Sequence, residues 1–324
     1  MWENLRHTQE NATPCRNERT SMAIGYVLYT PQAGDKNSLE SARQLQTLLP
    51  DRLQYYDMTR VTNYTAFLGG MEQEDYLVLV GGDGTLNRFV NDTARIPIRQ
   101  EILYYPTGHG NDFARDLEKV NSESPFPVTR YLKNLPSVEV KGKRYCFLNG
   151  VGFGIDGYCC QMGDEIRKTK KANYAAIALR GLLHGFSPGN AVLTVDGREY
   201  TYKKVWMATT LYGRYCCGMM PTPQQNRDSP DQTLSVMLLH GAGRLRTLLA
   251  FPGLFRGKHG EHTHMVALHT GHEITVTFDR PTALQIDGQT VPGVSSYTVY
   301  SPALARNGPV QRGGILNPED RTYE

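Results

Sequence analysis

Aliphatic residues followed by glycines and a carboxylate form the stretch of this sequence best suited to chemistry. The four residues from Leu77 to Val80 predict a buried strand. Gly81-Gly82-Asp83-Gly84 follows, and the residues from Thr85 to Val90 have the pattern of a helix. Glycines let backbone N–H groups approach an anion without an intervening Cβ, and a helix N-terminus carries partial positive charge. The stretch therefore predicts a phosphate-binding loop, with an ordinary tight turn as the alternative.

A second glycine-rich loop follows the next predicted strand. Residues 102–105 predict a strand that ends at Pro106, and Gly108-His109-Gly110 then leads to Asn111 or Asp112 as the N-cap of a helix. Both loops leave the C-terminal ends of strands, where open α/β sheets hold their ligands. The sequence therefore predicts one cleft with two loops. His109 could contact a phosphate as a cation or be a loop residue without a chemical role, and the residues leave both open.

The elements that must position these loops alternate between strand and helix up to about residue 120. Strands are predicted at 22–29 and 53–58, with a helix beginning near residue 37, and this order predicts a parallel sheet with helices on both faces. After about residue 138 the pattern becomes that of a mainly antiparallel β domain, with hairpin turns at Asp196-Gly197 and Asp287-Gly288. One helical stretch interrupts it near 166–183. The predicted strands lie at 138–140, 145–148, 191–195, 200–208, 234–239, 274–278 and 284–286.

Composition bounds the classes of protein to consider. A chain of 324 residues with 40% hydrophobic and 21% charged residues is typical of a soluble protein with two domains. The net charge of +3 is too small to indicate a nucleic-acid partner, although it would allow attraction to an anionic membrane surface. The six cysteines lack zinc-site spacing and are interpreted as free thiols in a reducing compartment. The polar first 21 residues predict a disordered tail, and the prediction is a cytoplasmic protein.

An apolar segment with basic flanks, residues 245–258, has two interpretations. It could lie on a membrane or guard the entrance for an acyl chain. It could equally be a buried helix broken at Pro252-Gly253.

The motifs together resemble one family. Residues 81–87 read G-G-D-G-T-L-N and residues 106–115 read P-T-G-H-G-N-D-F-A-R. Both resemble motifs of the soluble bacterial diacylglycerol kinases, whose catalytic domain is shared with sphingosine and ceramide kinases and is distantly related to NAD kinases. Similar stretches of that family occur here at 30–34, 147–156, 218–221, 231–234 and 287–289. The resemblance implies an α/β nucleotide-binding domain at 22–138 plus 301–324 and a β-sandwich lipid domain at 139–300.

The resemblance also implies roles for particular residues. Asp83 would stand near the transferred phosphoryl group and its Mg²⁺, Asp231 would hold a second, structural Mg²⁺, and the turn at 287–289 would supply the general base. ATP and Mg²⁺ are the implied cofactors, and a lipid at the inner membrane surface is the implied partner, with a homodimer left open. The implied nucleotide site consists of Thr59, Gly81, Gly82, Asp83, Gly84, Thr85, Asn87, Gly108, His109, Asn111 and Asp112.

The turn that would act on the acceptor departs from the family pattern. Gln289 stands where the family has glutamate, and an amide cannot accept the proton. Asp287 could serve as the base instead, or Asp287-Gly288 could be a type I′ hairpin turn without chemistry. Further departures are Arg88, His109 and Gln232. The first hypothesis is an ATP- and Mg²⁺-dependent kinase of diacylglycerol or a similar lipid. The alternatives are a catalytically impaired nucleotide-binding regulator and a kinase of a non-lipid acceptor.

Overall fold

The computed structural model describes residues 23–31, 38–108, 110–167, 173–258 and 264–304. Its N-terminal domain contains a sheet of order β2-β1-β3-β4-β5, in which the first four strands are parallel and β5 is antiparallel. The strands are β1 Ile24–Tyr29, β2 Arg52–Asp57, β3 Tyr76–Gly81, β4 Glu101–Pro106 and β5 Phe126–Pro127. The helices are α1 Ser38–Leu48, α2 Tyr64–Gly69, α3 Asp83–Asp92 and α4 Asp112–Asp116, with 3₁₀ turns at Met58–Arg60 and Thr129–Leu132.

Strand β3 is central because both of its faces are buried. Leu77 and Leu79 pack on one face with Phe89 of α3, and Val78 and Val80 pack on the other face with α1. A parallel sheet covered by helices on both sides requires such a continuous aliphatic strand. The predicted α/β domain with a parallel sheet is confirmed.

The C-terminal domain is built on a mainly antiparallel sheet. In the part of the chain that the structure describes, this sheet has ten strands in the order β13-β12-β11-β8-β14-β15-β6-β7, with β9 pairing with both β14 and β10. The strands are β6 Ser137–Val140, β7 Lys143–Cys146, β8 Gly150–Gly154, β9 Gly189–Val195, β10 Arg198–Val205, β11 Met207–Leu211, β12 Leu234–Leu239, β13 Val266–Gly271, β14 Glu273–Ile286 and β15 Gln289–Tyr300.

Three helices of the C-terminal domain share a hydrophobic core. They are α5 Ile155–Arg167, α6 Tyr174–Arg180, which continues into a π turn at Gly181–Gly185, and α7 Arg244–Leu254. A 3₁₀ turn at Pro302–Leu304 follows the last strand. Ile155, Leu182, Trp206 and Leu254 meet in this core. The helices therefore form one packed layer beside the sheet.

Several predicted boundaries were wrong. The stretch predicted as one strand at 200–208 is two strands, divided at Trp206, whose backbone N–H donates to Leu239 and whose indole N–H donates to Ala242. The strands predicted at 274–278 and 284–286 are one strand with shifted register between Thr277 and Thr282. The helix predicted near 166–183 is two helices, the first beginning at Ile155. Strands β8, β13 and β15 were not predicted. Residues 1–22 and 305–324 lie outside the described residues.

Candidate active site

The two glycine loops lie against each other at the C-terminal edge of the parallel sheet. The backbone N–H of Thr107 donates to the Gly81 carbonyl at 2.9 Å. A Cβ on Gly108 would lie 2.6 Å from the Cα of Gly82, closer than real Cβ atoms come to backbone. Glycine at position 108 is therefore required for this contact, and a Cβ on Gly82 would be tight, at 3.1 Å from the Gly108 Cα. The predicted single cleft with two loops is a feature of the structure.

Helix α3 begins at this contact with a free N-terminus. Gly82 is its N-cap and no side chain caps it. A Cβ on Gly84 would meet no atom within 4 Å, whereas a Cβ on Gly81 would lie 2.2 Å from the Thr85 Oγ1. The open side of the first turn therefore faces away from the protein, and Thr85 packs beneath the loop. Unfilled N–H groups at an uncapped helix start favour an anion.

Asp83 links three parts of the site. Its Oδ2 accepts from the backbone N–H of Asp112 at 2.9 Å, and its Oδ1 accepts from the N–H of Phe113 at 2.9 Å, so Asp83 caps helix α4. The side-chain amide of Asn149, from the C-terminal domain, donates to the same Oδ1 at 3.0 Å. Asn111, at φ +48°, bonds Gly108 in both directions and fixes the second loop.

A second carboxylate, that of Asp112, lies beside Asp83. An ideal Cβ position on Gly110 is 3.6 Å from the Asp83 Oδ2 and 3.9 Å from the Asp112 Oδ2, so both oxygens border one small space. Burial raises the pKa of Asp112, and the neighbouring Asp83 charge raises it further, although the N–H of Gly218 and the guanidinium of Arg115 oppose the shift. Two acidic side chains with insufficient positive charge around them are a favourable place for a cation.

Asp287 is buried at the junction of the domains, with four hydrogen-bond donors around it. Its Oδ2 accepts from Asn87 Nδ2 at 2.8 Å and from the N–H of Leu148 at 2.6 Å. Its Oδ1 accepts from the N–H groups of Asn149 at 2.8 Å and Gly150 at 3.0 Å. Burial nevertheless raises the pKa of Asp287 above its usual value, against the effect of these donors.

The turn that carries Asp287 has the predicted geometry. Asp287 and Gly288 have φ values of +47° and +81°, and Asp196 and Gly197 have the same two values. Both pairs connect antiparallel strands, as a type I′ turn does. The Asp287 turn differs in that its carboxylate binds residues of both domains. Gln289, at the start of β15, lies with its Nε2 3.4 Å from the Asn87 Oδ1.

Two asparagines of α3, Asn87 and Asn91, form hydrogen bonds to the C-terminal domain. Only Asn87 was among the predicted site residues. Asn87 is fully buried and also donates to the Cys146 carbonyl at 3.2 Å. Asn91, one turn later, donates to that carbonyl at 3.0 Å and accepts from the Cys146 N–H at 2.8 Å. The spacing of four residues places both side chains on one face of the helix. That spacing is the sequence signal that would have identified Asn91.

A buried ion pair between the domains was also missed. Asp116 at the end of α4 accepts from Nε of Arg227 and, at 2.9 Å, from Nε of Arg214. Burial raises the pKa of Asp116, but the two guanidinium groups outweigh it and hold the pKa below its ordinary value. Arg227 also contacts Asn149 Oδ1 at 3.3 Å and lies over the Phe113 ring. Nothing in the sequence around Arg227 indicates this role.

Two further residues that the sequence analysis singled out, Thr59 and Arg88, form local contacts. Thr59, in the turn after β2, directs its N–H and hydroxyl to Asp57, and β1 separates its strand from β3. His109 lies outside the described residues. Arg88 forms an ion pair with Asp92 at 3.4 Å on α3.

Asp231 does not belong to a carboxylate cluster. It is exposed in the loop before β12. Among the described residues, no group of three or more His, Cys, Asp or Glu side chains could hold a metal ion. Its neighbour Gln232 has φ +50°, a conformation that favours glycine. The structural Mg²⁺ at Asp231 therefore stays a prediction from the family resemblance, and no chemistry is assigned to it.

Two family descriptions match the chain side by side. The diacylglycerol kinase catalytic domain matches residues 25–135, and the YegS C-terminal NAD kinase beta sandwich-like domain matches residues 149–305. The first match contains both glycine loops and the second contains Asn149 and Asp287. The two matches meet where the structure joins the α/β domain to the antiparallel domain.

Curated relatives and solved structures agree with these matches. The Bacillus subtilis protein named "Putative lipid kinase YtlR" is 23% identical over 83% of this chain and 94% of its own. A diacylglycerol kinase of B. subtilis is 22% identical over 68% of this chain and 72% of its own. A crystal structure of a diacylglycerol kinase from Bacillus anthracis superposes with a TM-score of 0.57 and 19% identity, over 88% of this chain and 96% of the other.

The described part of the chain contains no helix that is long and apolar enough to span a bilayer. The paired glycine loops, the two domain matches and the relatives agree on the resemblance that the sequence motifs indicated. This chain belongs to the bacterial diacylglycerol and lipid kinase family, a family of phosphotransferases.

Proposed function

We propose that this protein is an ATP- and Mg²⁺-dependent lipid kinase that transfers the γ-phosphate to a hydroxyl of diacylglycerol or a similar neutral lipid. The observation that carries the proposal is the contact between the two glycine loops at the uncapped start of α3. Phosphoryl transfer depends mainly on positioning and on neutralising charge, and backbone N–H groups at a helix start provide both for a triphosphate.

Asp83 and Asp112 are the residues that would hold the Mg²⁺ of the nucleotide. Mg²⁺ is usually bound through one or two carboxylates together with substrate phosphates and waters. The two carboxylates bordering the space beside Gly110 meet that requirement, and a cation there would offset their mutual repulsion. When bound, the ion would neutralise charge that develops on the transferred group.

Asp287 is the proposed base that accepts the proton of the lipid hydroxyl. Its raised pKa favours proton uptake, and only one of its four donors, Asn87 Nδ2, is a side chain that can turn away. Release of that amide would free a lone pair on Oδ2. Gln289, within 3.4 Å of Asn87, would orient the amide rather than take the proton.

Gly84→Ala tests the phosphate loop without disturbing the fold. The added methyl group meets no protein atom within 4 Å, and alanine favours the helix by about 0.5–1 kcal/mol. We expect the melting temperature to be kept or raised. ATP affinity should fall by about tenfold or more, the equivalent of 1.4 kcal/mol. Calorimetric titration of ATP with Mg²⁺ measures the affinity.

Gly69→Ala is the matched control. Gly69 ends helix α2, and its added methyl group also meets no atom within 4 Å. This variant should bind ATP like the parent protein. Equal ATP affinity in the Gly84 and Gly69 variants would remove the loop from the nucleotide site.

The second experiment measures lipid-dependent ATP turnover in diacylglycerol mixed micelles for the parent protein and for Gln289→Glu. Turnover in the parent protein supports the kinase with its existing residues. Turnover only in Gln289→Glu would show that a base is missing here and would support the regulator. No turnover in either protein, with ATP still bound, would indicate another acceptor.

A further inference from the structure

Helix α7 has leucines on a face that the core does not use. Thr247, Ala250, Phe251 and Leu254 are buried against the rest of the domain. Leu245 and Leu249, one turn apart, are 70% and 74% exposed. A surface helix normally places polar side chains opposite its buried face. Two highly exposed leucines at this spacing therefore call for a partner.

The neighbouring helix α6 repeats the arrangement. Its Ile177 and Ala178, and Leu182 in the π turn, are buried, whereas Leu179 and Leu183 are 49% and 40% exposed. The two helices are tied together, because Arg244 donates from Nη1 to the carbonyls of Leu182 and Phe186, each at 2.9 Å. We call Leu179, Leu183, Leu245 and Leu249 the leucine face.

The two chain segments that carry the leucine face have charges of one sign. Residues 173–189 and 240–258 contain no Asp or Glu. Arg180, Arg246, Arg256 and Lys258 are all exposed in these two segments. Apolar side chains bordered by basic ones are the pattern of a surface that inserts leucines into a bilayer interface and attracts anionic headgroups.

We propose that the leucine face docks this protein onto an anionic membrane surface. This inference rests on the proposed function, since docking would bring the enzyme to its lipid. The surface concerned lies outside the phosphate loops. The interpretation of residues 245–258 as a helix broken at Pro252-Gly253 is incomplete, because α7 continues to Leu254 and buries only one face.

The docking helix is connected to the nucleotide site by hydrogen bonds. The carbonyl of Leu254, at the end of α7, accepts from the N–H of Met220 at 2.9 Å. Two residues earlier, Gly218 donates its N–H to the Asp112 carboxylate at 3.0 Å and accepts from Arg115 at 3.1 Å. A membrane bound at α7 would therefore lie next to the segment that covers Asp112.

Sedimentation with phosphatidylcholine vesicles, with and without phosphatidylglycerol and without ATP, tests the docking. We expect the parent protein to bind the anionic vesicles, and Leu245→Ser/Leu249→Ser to bind on the order of tenfold more weakly. The control variant is Leu48→Ser/Leu268→Ser, which changes two leucines that are each 41% exposed on other surfaces. Arg246→Gln/Arg256→Gln should lose binding to anionic vesicles, also by about tenfold or more.

Three outcomes would overturn the docking proposal. One is vesicle binding by Leu245→Ser/Leu249→Ser equal to that of the parent protein. Another is a parent protein that turns over micellar lipid but binds neither vesicle. The third is a light-scattering mass that halves in the leucine variant, which would make this face a contact between two copies. Absent turnover with intact vesicle binding would count against the kinase alone.

Discussion

The carboxylate of Asp287 accepts hydrogen bonds from both domains, which the hairpin pattern of its turn does not predict. Four donors, from Asn87 and three consecutive backbone N–H groups, fill both of its oxygens. Hydrogen bonds to a charged acceptor contribute more than neutral ones, and a buried donor left without a partner is costly. Asp287 therefore holds the α/β domain to the β7–β8 connection as well as being the proposed base.

Asp287→Asn is expected to lower the free energy of unfolding by about 2–4 kcal/mol, because an amide N–H₂ would face backbone N–H donors. Asp196→Asn is the control, since Asp196 has the same turn geometry and also accepts from backbone N–H groups, those of His272 and Glu273, but is exposed and makes these contacts within its own domain. Urea unfolding measures both variants. Equal losses would show that burial and the contact with Asn87 add nothing beyond the turn and its backbone donors. Because unfolding alone would abolish activity, turnover should be measured where the variant remains folded.

Helix α5 begins at a buried carboxylate that links it to the sheet. Asp156 accepts from the Thr209 hydroxyl of β11 at 2.7 Å and from the Gly157 N–H at 2.9 Å. Burial raises the pKa of Asp156 to about 7, and these donors only partly oppose the shift. The folded protein therefore favours the protonated form of Asp156.

This pKa predicts a pH dependence of stability. The folded-state pKa is above the unfolded value of 3.8, so between about pH 4 and pH 7 the folded chain holds a proton that the unfolded chain has released. This contribution to stability is present below pH 4 and is lost as the pH rises through 7. Asp156→Asn should remove a fall of about 2–4 kcal/mol across this range. Thr209→Val should enlarge it, because the hydroxyl lowers the pKa. Urea unfolding from pH 4 to about pH 9 measures the fall in both variants, because a pKa raised above 7 enlarges the fall only beyond pH 7. An unchanged fall in Asp156→Asn would refute the assignment.

At the scale of the whole molecule, the domains are joined by buried polar contacts around one cleft. Asp116 pairs with Arg227, and both side chains are 3% exposed. Breaking a buried ion pair leaves one charge without its partner, so the loss exceeds the net value of the pair. These contacts keep the two glycine loops and the Asp287 turn on the same cleft.

Arg227→Ala should therefore lower the free energy of unfolding by about 3–5 kcal/mol. Arg130→Ala is the control, because Arg130 and Asp228 form an exposed pair at 3.7 Å and should show no measurable change. Chemical denaturation followed by circular dichroism makes the comparison. If both variants unfold at the same urea concentration, the Asp116 pair does not hold the domains together.

The sequence by itself determined the alternation of strands and helices in the N-terminal domain and the position of the glycine loops. A short aliphatic run bounded by glycines, such as Leu77–Val80, favours a strand buried on both faces, and the glycines after it permit the close approach of two backbones. These are local constraints, carried by residue type and spacing. The motifs at 81–87 and 106–115 therefore indicated the family and the α/β domain correctly.

Only the tertiary structure decided which side chains meet between the domains. Asn87 and Asp287 are 200 residues apart in the chain, and Asp116 and Arg227 are 111 apart. No periodicity reports such pairs, because they depend on how the two sheets are packed. Likewise, α7 has leucines on both its buried and its exposed face. The residue type does not distinguish Leu254, which is in the core, from Leu249, which is exposed. The sequence determines local chemistry through residue type and spacing. Packing determines the partner of each buried charge and the exposed face of each helix.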